Sequence, residues 1–412
     1  MLTKERRQLL VILTIVFLGY LGISLPYLIF PALFLNPEYA ILPTNCSETA
    51  RALFLGVTLA VYPIGQFIGS PILGSLSDDY GRKKLLWGSL LISAIANLCT
   101  GIAIAKGALS LLIISRFIAG FMEGNIAIAR AMASELTSIS KQEAFGKISA
   151  SSSIAYLIGP LIGGLMTDKS IWEHLTTSTP FYFICIFFIF LAALAAIMLK
   201  EAPKKLIKAT LSIYQRINIF KRMSILFKSK RLKFLMITST AFTLGVDIFY
   251  EFGPVYLTIK WLLGPSDLAL YNSVLCLALA IGNGMLPGLF SKHFPKKAII
   301  ISALTSLILT LTLVVLTNSP LIMVTLFGLA GLAIGVTATL LTVKISNSVS
   351  DTIQGEVMGV QVSLRVLGDG IICLFGSALL ILSPKIILFG AAAIATFTLA
   401  YYYKGSKRFF TQ

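Results

Sequence analysis

Twelve stretches of this chain are apolar for about the 20 residues that a helix needs to cross a bilayer core of about 30 Å. They fall at residues 9–35, 51–73, 85–105, 108–133, 146–167, 180–199, 234–257, 268–290, 298–317, 320–343, 356–381 and 384–403. In hydrocarbon every backbone N–H and C=O must find its partner within the chain, so runs of this length fold as helices. The fold expected is an all-α membrane protein with 12 transmembrane helices. Composition points the same way: 57% of residues are hydrophobic and 12% charged, against about 25% charged in ordinary soluble domains. There is too little polar material here to cover the surfaces of soluble domains. Lys4, Arg6 and Arg7 precede the first run, as in a signal peptide. The run is too long for that and lacks a small-residue cleavage site, so it is read as the first span.

The net charge is +17, from 34 Lys and Arg against 17 Asp and Glu, which by itself would fit a nucleic-acid binder. Placing the charges removes that reading. With the N-terminus inside, the cytoplasmic segments collect 26 basic and eight acidic residues, and the opposite side five of each. This asymmetry follows the positive-inside bias and predicts both termini in the cytoplasm, with the excess charge drawn to anionic lipid. The longest polar stretch divides the spans evenly. The expected organisation is a six-helix bundle over 1–200, a basic cytoplasmic linker over 201–233 and a second six-helix bundle over 234–412. In the linker, basic residues alternate with Leu206, Ile207, Leu211, Ile213 and Ile217. That pattern suits either an amphipathic helix on the membrane face or a solvated connection. Cys99, Cys185, Cys276 and Cys373 lie inside apolar runs and Cys46 in a loop, with no CxxC and no His cluster. Neither a disulfide framework, a metal site nor a cofactor is expected.

Between the second and third spans the chain reads Gly74-Ser-Leu-Ser-Asp78-Asp-Tyr-Gly81-Arg82-Lys83-Lys84. This resembles the GxLxDxxGRKx loop signature of the major facilitator superfamily, and Gly288 to Lys297 echoes it in the second half. Gly159-Pro160-Leu-Ile-Gly163-Gly164 in the fifth span resembles the GPxxGG motif of the 12-helix drug:proton antiporters, the tetracycline exporters among them. Arg116 followed by Gly120 and Gly124 is similar to the RxxxG signature of the fourth span. The resemblance implies two pseudo-symmetric bundles working by alternating access, with spans one, four, seven and ten lining a central cavity. It implies a latch in which Asp78 lies near the start of the eleventh span, around Gln354 to Val357, while Arg82, beside Lys83, reaches Glu135. The glycines at 159, 163 and 164 would make a tight helix contact that seals one state and biases the direction of transport.

Seven charges fall inside the spans. Arg116, Glu123 and Arg130 follow one another at intervals of seven on the fourth. Asp247 and Glu251 are four apart on the seventh, as are Arg365 and Asp369 on the eleventh. Each costs at least about 2.5–3.5 kcal/mol at membrane depth, so such groups face a bundle interior or a water-filled cavity. By the resemblance, Glu123, Asp247 and Glu251 face the cavity, where a carboxyl group can bind and release a proton. Fixed ion pairs are the other reading, and Arg116 and Arg365 are also candidates for holding an anionic substrate. Phe242, Phe249, Tyr250, Phe252 and Tyr256 form either a substrate wall or a lipid-facing surface. His174 and His293 lie in loops on opposite sides, and no phosphate-cradling loop or HExxH sequence occurs, so an enzyme is not expected. The reading is a secondary active transporter, with proton-coupled export of a small organic molecule by alternating access. The alternative is a proton-coupled importer of an anionic metabolite. The protein is expected as a monomer in the plasma membrane, the inner membrane in a bacterium. Its partners would be substrate, protons and lipid, and no nucleic acid.

Overall fold

The computed structural model describes residues 4–136, 139, 141–200, 229–349 and 351–409. Outside the description are the side chains at 78, 134, 141–143, 145, 146, 149, 153, 351–356, 358 and 359. Most of the expected linker, residues 201–228, also lies outside it. Among the described residues every regular element is helical. Eleven helical segments are long and apolar enough to cross a membrane, and residues 150–165 form a shorter apolar helix. This is an all-α, multi-pass membrane protein.

The chain clusters into two compact units, one from residues 1–46, 57–218 and 264–269, the other from 47–56, 219–263 and 270–412. The helices of the first half of the chain are α1 (Lys4–Ser24), α2 (Ile29–Leu35), α3 (Glu48–Tyr80), α4 (Arg82–Lys106), α5 (Leu109–Met122), α6 (Gly124–Ser134), α7 (Lys141–Leu165) and α8 (Thr179–Met198). In the first unit α4 packs on α5 and α8, and α1 on α7. Two of the expected single spans in this half are broken, as is the span 268–290 in the second half, at Met285. Pro26, which has no N–H to donate, falls in the turn that separates α1 from α2. The fourth span changes helix at Glu123. Ile12, Leu90, Ile128 and Leu191 pack in the interior, while Ile186, Ile189, Phe190 and Ile197 of α8 are exposed, as a lipid-facing surface requires.

Glycine governs how closely helices meet. A Cβ on Gly65, Gly69 or Gly120 would run into the backbone oxygen of Phe117, Phe121 or Tyr62 respectively, so α3 and α5 touch backbone to backbone. Small residues allow this approach, which gives helices in lipid their van der Waals contact. On α7, a Cβ at Gly159 would strike the Ser24 hydroxyl and one at Gly163 the Leu25 carbonyl, both at the end of α1. A Cβ at Gly164 would stand 2.6 Å from the Ala269 Cβ, and Pro160 sits within the same helix. Gly81 serves conformation: at φ 102° and ψ 131° it turns the chain from α3 into α4, where an L side chain would be strained. Gly74 faces open space.

The second half contains α9 (Lys230–Trp261), α10 (Pro265–Gly284), α11 (Leu286–Phe290), α12 (Lys296–Leu316), α13 (Pro320–Ser346), α14 (Asp351–Leu380) and α15 (Pro384–Phe409). Helix α9 begins inside the stretch expected as linker, with the Ser229 hydroxyl accepting from the Leu232 N–H at 3.3 Å, an ordinary N-cap. In the second unit α9 packs on α14 and α15, and α12 on α13 and α15. Helices α10 and α13 meet as α3 and α5 do: a Cβ on Gly331 would strike the Leu275 carbonyl, and one on Gly335 would lie 2.6 Å from that of Leu279.

These contacts separate two glycines that look alike in sequence. Gly163→Ala should destabilise the protein by about 1–3 kcal/mol, the usual cost of overpacking. Gly88→Ala, whose Cβ meets nothing within 4 Å, should leave the thermal unfolding midpoint of the purified protein unchanged. Equal midpoints for the two variants would refute the backbone contact.

Candidate functional site

In the first unit the α5–α6 junction turns Glu123 into a polar pocket. The Glu123 N–H donates to the Gly120 carbonyl at 3.0 Å, and the Ile126 N–H to the Glu123 carbonyl at 3.0 Å. Both are i→i+3 bonds, a local tightening common at functional hinges. Tyr62, Ser93, Asn97, Arg116, Glu123 and Asn125 lie in the walls of this small pocket. Arg116 is 5% exposed. Its guanidinium lies 4.3 Å from the Tyr62 ring centre and 5.2 Å from that of Phe30, a cation–π arrangement worth about 2 kcal/mol when desolvated. Its Nε makes no hydrogen bond among the described residues. The Tyr62 hydroxyl hydrogen-bonds Glu123, which is 6% exposed. Asn97 donates to the Ser93 carbonyl at 2.9 Å. Arg130 is placed elsewhere. Its Nη2 donates to the Tyr20 hydroxyl at 2.8 Å and it does not line the pocket. The single stripe expected for Arg116, Glu123 and Arg130 therefore ends at the break between α5 and α6.

The second unit brings together the two charged pairs that sequence spacing places on separate spans. Arg365 on α14 donates to Asp247 on α9 across 3.3 Å, with the Asp247 side chain 4% exposed and that of Arg365 58%. One turn along each helix, Glu251 and Asp369 approach each other, and Cys373 lies beside them. The carboxylate oxygens and the thiol sulfur all lie within 4.8 Å of one another. Gln361 donates to the Ser239 hydroxyl at 2.6 Å, tying α14 to α9 nearby. Cys373 is the member that sequence reading missed. It follows Asp369 by one helical turn and Arg365 by two, so the i, i+4, i+8 face of α14 carries all three. In an apolar run that spacing passes for core. The aromatic residues of α9 are also corrected. Phe242, Phe249, Phe252 and Tyr256 are buried within the unit, with Phe249 4.9 Å from Phe327 and the Tyr256 hydroxyl donating to the Val315 carbonyl. Side chains buried in this way do not form a lipid-facing surface, and Tyr250 beside them is half-buried.

In the loop motif Arg82 meets Glu135 at 3.1 Å, with side chains 22% and 36% exposed. Such a pair contributes about 0.2–1 kcal/mol. Lys83 follows in the first turn of α4. The expected neighbourhood of Asp78 and Gln354 falls on side chains outside the described residues.

Residues 12–373 match the family profile of the Major Facilitator Superfamily. The chain belongs to that superfamily. With its long apolar helices it is a multi-pass membrane protein of that superfamily. It is 34% identical over 200 residues to "Tetracycline resistance protein, class H" of Pasteurella multocida, covering 48% of this chain and 46% of that protein. It is 25% identical over 392 residues to "Multidrug resistance protein 2" of Bacillus subtilis (strain 168), covering 92% and 89%. The chain thus spans about half the length of the first relative. The solved structure of a mutant of the nucleoside transporter NupG superimposes with a TM-score of 0.73 over 98% of this chain and 99% of that one, at 13% identity. That likeness is one of fold.

Within this superfamily member the Asp247–Arg365 pair is lopsided. Removing Arg365 strands a buried carboxylate, whereas removing Asp247 leaves a guanidinium that already reaches solvent. Arg365→Gln should lower stability by about 1–3 kcal/mol, and adding Asp247→Asn should recover most of that loss. Thermal unfolding of the two single variants and the double variant measures it. No recovery in the double variant would mean that the pair contributes through packing.

Proposed function

We propose that the protein exports a small organic molecule in exchange for protons, by alternating access between two six-helix halves, 1–200 and 234–412, joined by the basic linker 201–233. In this reading both termini are cytoplasmic, and the protein works as a monomer in the plasma membrane, the inner membrane in a bacterium. The observation that carries the coupling is Glu123. A carboxyl group 6% exposed, hydrogen-bonded to Tyr62 and lining a pocket with Arg116, is positioned to hold a proton in one state and give it up in another. Membrane-embedded ionisable groups of this kind mark proton relays. Export is supported by relatives named for tetracycline and multidrug resistance and by the close packing of Gly159, Gly163 and Gly164 in the antiporter-like motif. The loop residues Gly74, Asp78, Gly81, Arg82 and Lys83, with Glu135, serve as the latch that holds one state closed.

A second reading, import of an anionic metabolite with a proton, is favoured by the buried Arg116 Nε, a donor suited to a carboxylate. Proton flux in proteoliposomes, recorded while candidate substrates are added in panels, separates the two. Exporter behaviour is proton movement opposite to the substrate, cut about 100-fold by Glu123→Gln, the order expected when a proton-transfer group is lost. Movement in the same direction would make the protein an importer. Substrate transport with no proton movement would remove the coupling altogether. For the latch, Asp78→Asn should slow transport several-fold at normal abundance, and unaltered transport would eliminate it.

A further inference from the structure

We propose that Glu251, Asp369 and Cys373 form a binding site for a thiophilic divalent cation of the Zn²⁺ and Cd²⁺ class. The site stands apart from the Glu123 pocket and does not depend on the direction or coupling of transport. Three donors converge from two helices, Glu251 from α9 and Asp369 with Cys373 from α14, with their ligand atoms within 4.8 Å of one another. Asp369 and Cys373 are four residues apart and share one face of α14, the arrangement by which helical bundles build metal sites from facing side chains.

A second observation is the thiol. Cys373 is 1% exposed, is not in a disulfide and makes no hydrogen bond among the described residues. Its neighbours are the carboxylates of Glu251, Asp369 and Asp247. A cysteine serving only as small core filler would be wrapped in apolar side chains. This one is aimed at acids.

Charge supplies the third argument. Asp247 pairs with Arg365 at 3.3 Å, and Glu251 and Asp369 add two half-buried carboxyl groups within 4.8 Å of each other. A divalent cation is attracted to such a concentration of acidic oxygens. The donor set then selects the cation. A sulfur with two carboxylate oxygens suits Zn²⁺, at about 2.3 Å to sulfur and about 2.0–2.2 Å to oxygen, whereas Mg²⁺ and Ca²⁺ take oxygen throughout. Closing the donors onto those lengths needs a contraction of about 1 Å, within reach of side-chain rotation. Water completes the coordination. On binding, the thiol proton leaves to solvent and a metal–sulfur bond forms, with no change of oxidation state. The site departs from the metal-free expectation of the sequence, which treats Cys373 as filler.

The test is Cd²⁺ titration of the purified full-length protein in lipid nanodiscs, followed by the ultraviolet cadmium–thiolate charge-transfer band and by equilibrium Cd²⁺ uptake. The expected result is saturable binding of one Cd²⁺ per chain with the band present. Zn²⁺ should compete and Mg²⁺ should not. Cys373→Ser should abolish the band, and Cys276→Ser should keep it. Glu251→Gln and Asp369→Asn should each weaken binding about tenfold or more, since even outer-sphere partners of a metal cost that much. Thermal unfolding midpoints confirm that each variant is folded. If Cys373→Ser misfolds, the band's loss in Glu251→Gln and Asp369→Asn at limiting Cd²⁺ carries the test. Absence of saturable uptake, a band that survives Cys373→Ser in folded protein, or equal displacement by Mg²⁺ would each overturn the site. None of these readouts requires transport, so failure here leaves the proton-flux experiment intact, and the reverse holds too.

Discussion

Charge held within a membrane-spanning bundle costs at least about 2.5–3.5 kcal/mol per group, and the architecture of both units answers that cost locally. The two answers differ. In the first unit Arg116 is enclosed by the faces of Tyr62 and Phe30, and Tyr62 turns its hydroxyl to Glu123. One aromatic side chain therefore serves a cation with its ring and a carboxyl group with its oxygen. In the second unit Asp247 takes a direct ion pair from Arg365, whose partial exposure lets water share the cost of the cation. Either solution depends on helices held in close register, which is where the glycine contacts enter.

The α3–α5 contact through Gly65, Gly69 and Gly120 sets the distance between Tyr62 and Arg116, because both residues lie on the same backbone-to-backbone seam. The α10–α13 contact through Gly331 and Gly335 repeats that seam in the second unit. The chemistry on it does not repeat. Counting from Gly331 as from Gly120, the position of Arg116 corresponds to Phe327, and that of Glu123 to Ile334. Phe327 packs on Phe249 and Tyr271 where Arg116 meets Tyr62 and Phe30. The two halves thus share a packing device and diverge in what they bury, with the second unit moving its charges to α9 and α14.

Spans were legible because length and apolarity are properties of contiguous residues, and the loop motif because glycine and arginine there serve local geometry. Breaks were harder to read. Pro26 signals the turn after α1, but the change from α5 to α6 at Glu123 comes from two i→i+3 bonds that no residue type announces. For that reason a spacing of seven promised one stripe and delivered Arg130 to Tyr20. The pairing of α9 with α14 was not legible either, since i and i+4 place residues on one helix face and say nothing of which helix lies opposite. The aromatic residues of α9 show the same limit. In a medium as apolar as the bundle interior, hydrophobicity does not distinguish a buried face from a lipid-facing one.

Each polar centre holds its own guanidinium and its own carboxylates within one compact unit. A rearrangement of whole units, the movement that alternating access requires, therefore breaks neither the Arg116–Tyr62–Glu123 grouping nor the Asp247–Arg365 pair. In the mechanism proposed above, such a movement would change access: which side of the membrane supplies the water, protons or solute that reach a centre whose internal geometry stays fixed. Export of the kind proposed would then avoid the cost of exposing a stripped charge in mid-cycle, because the partner travels with the charge.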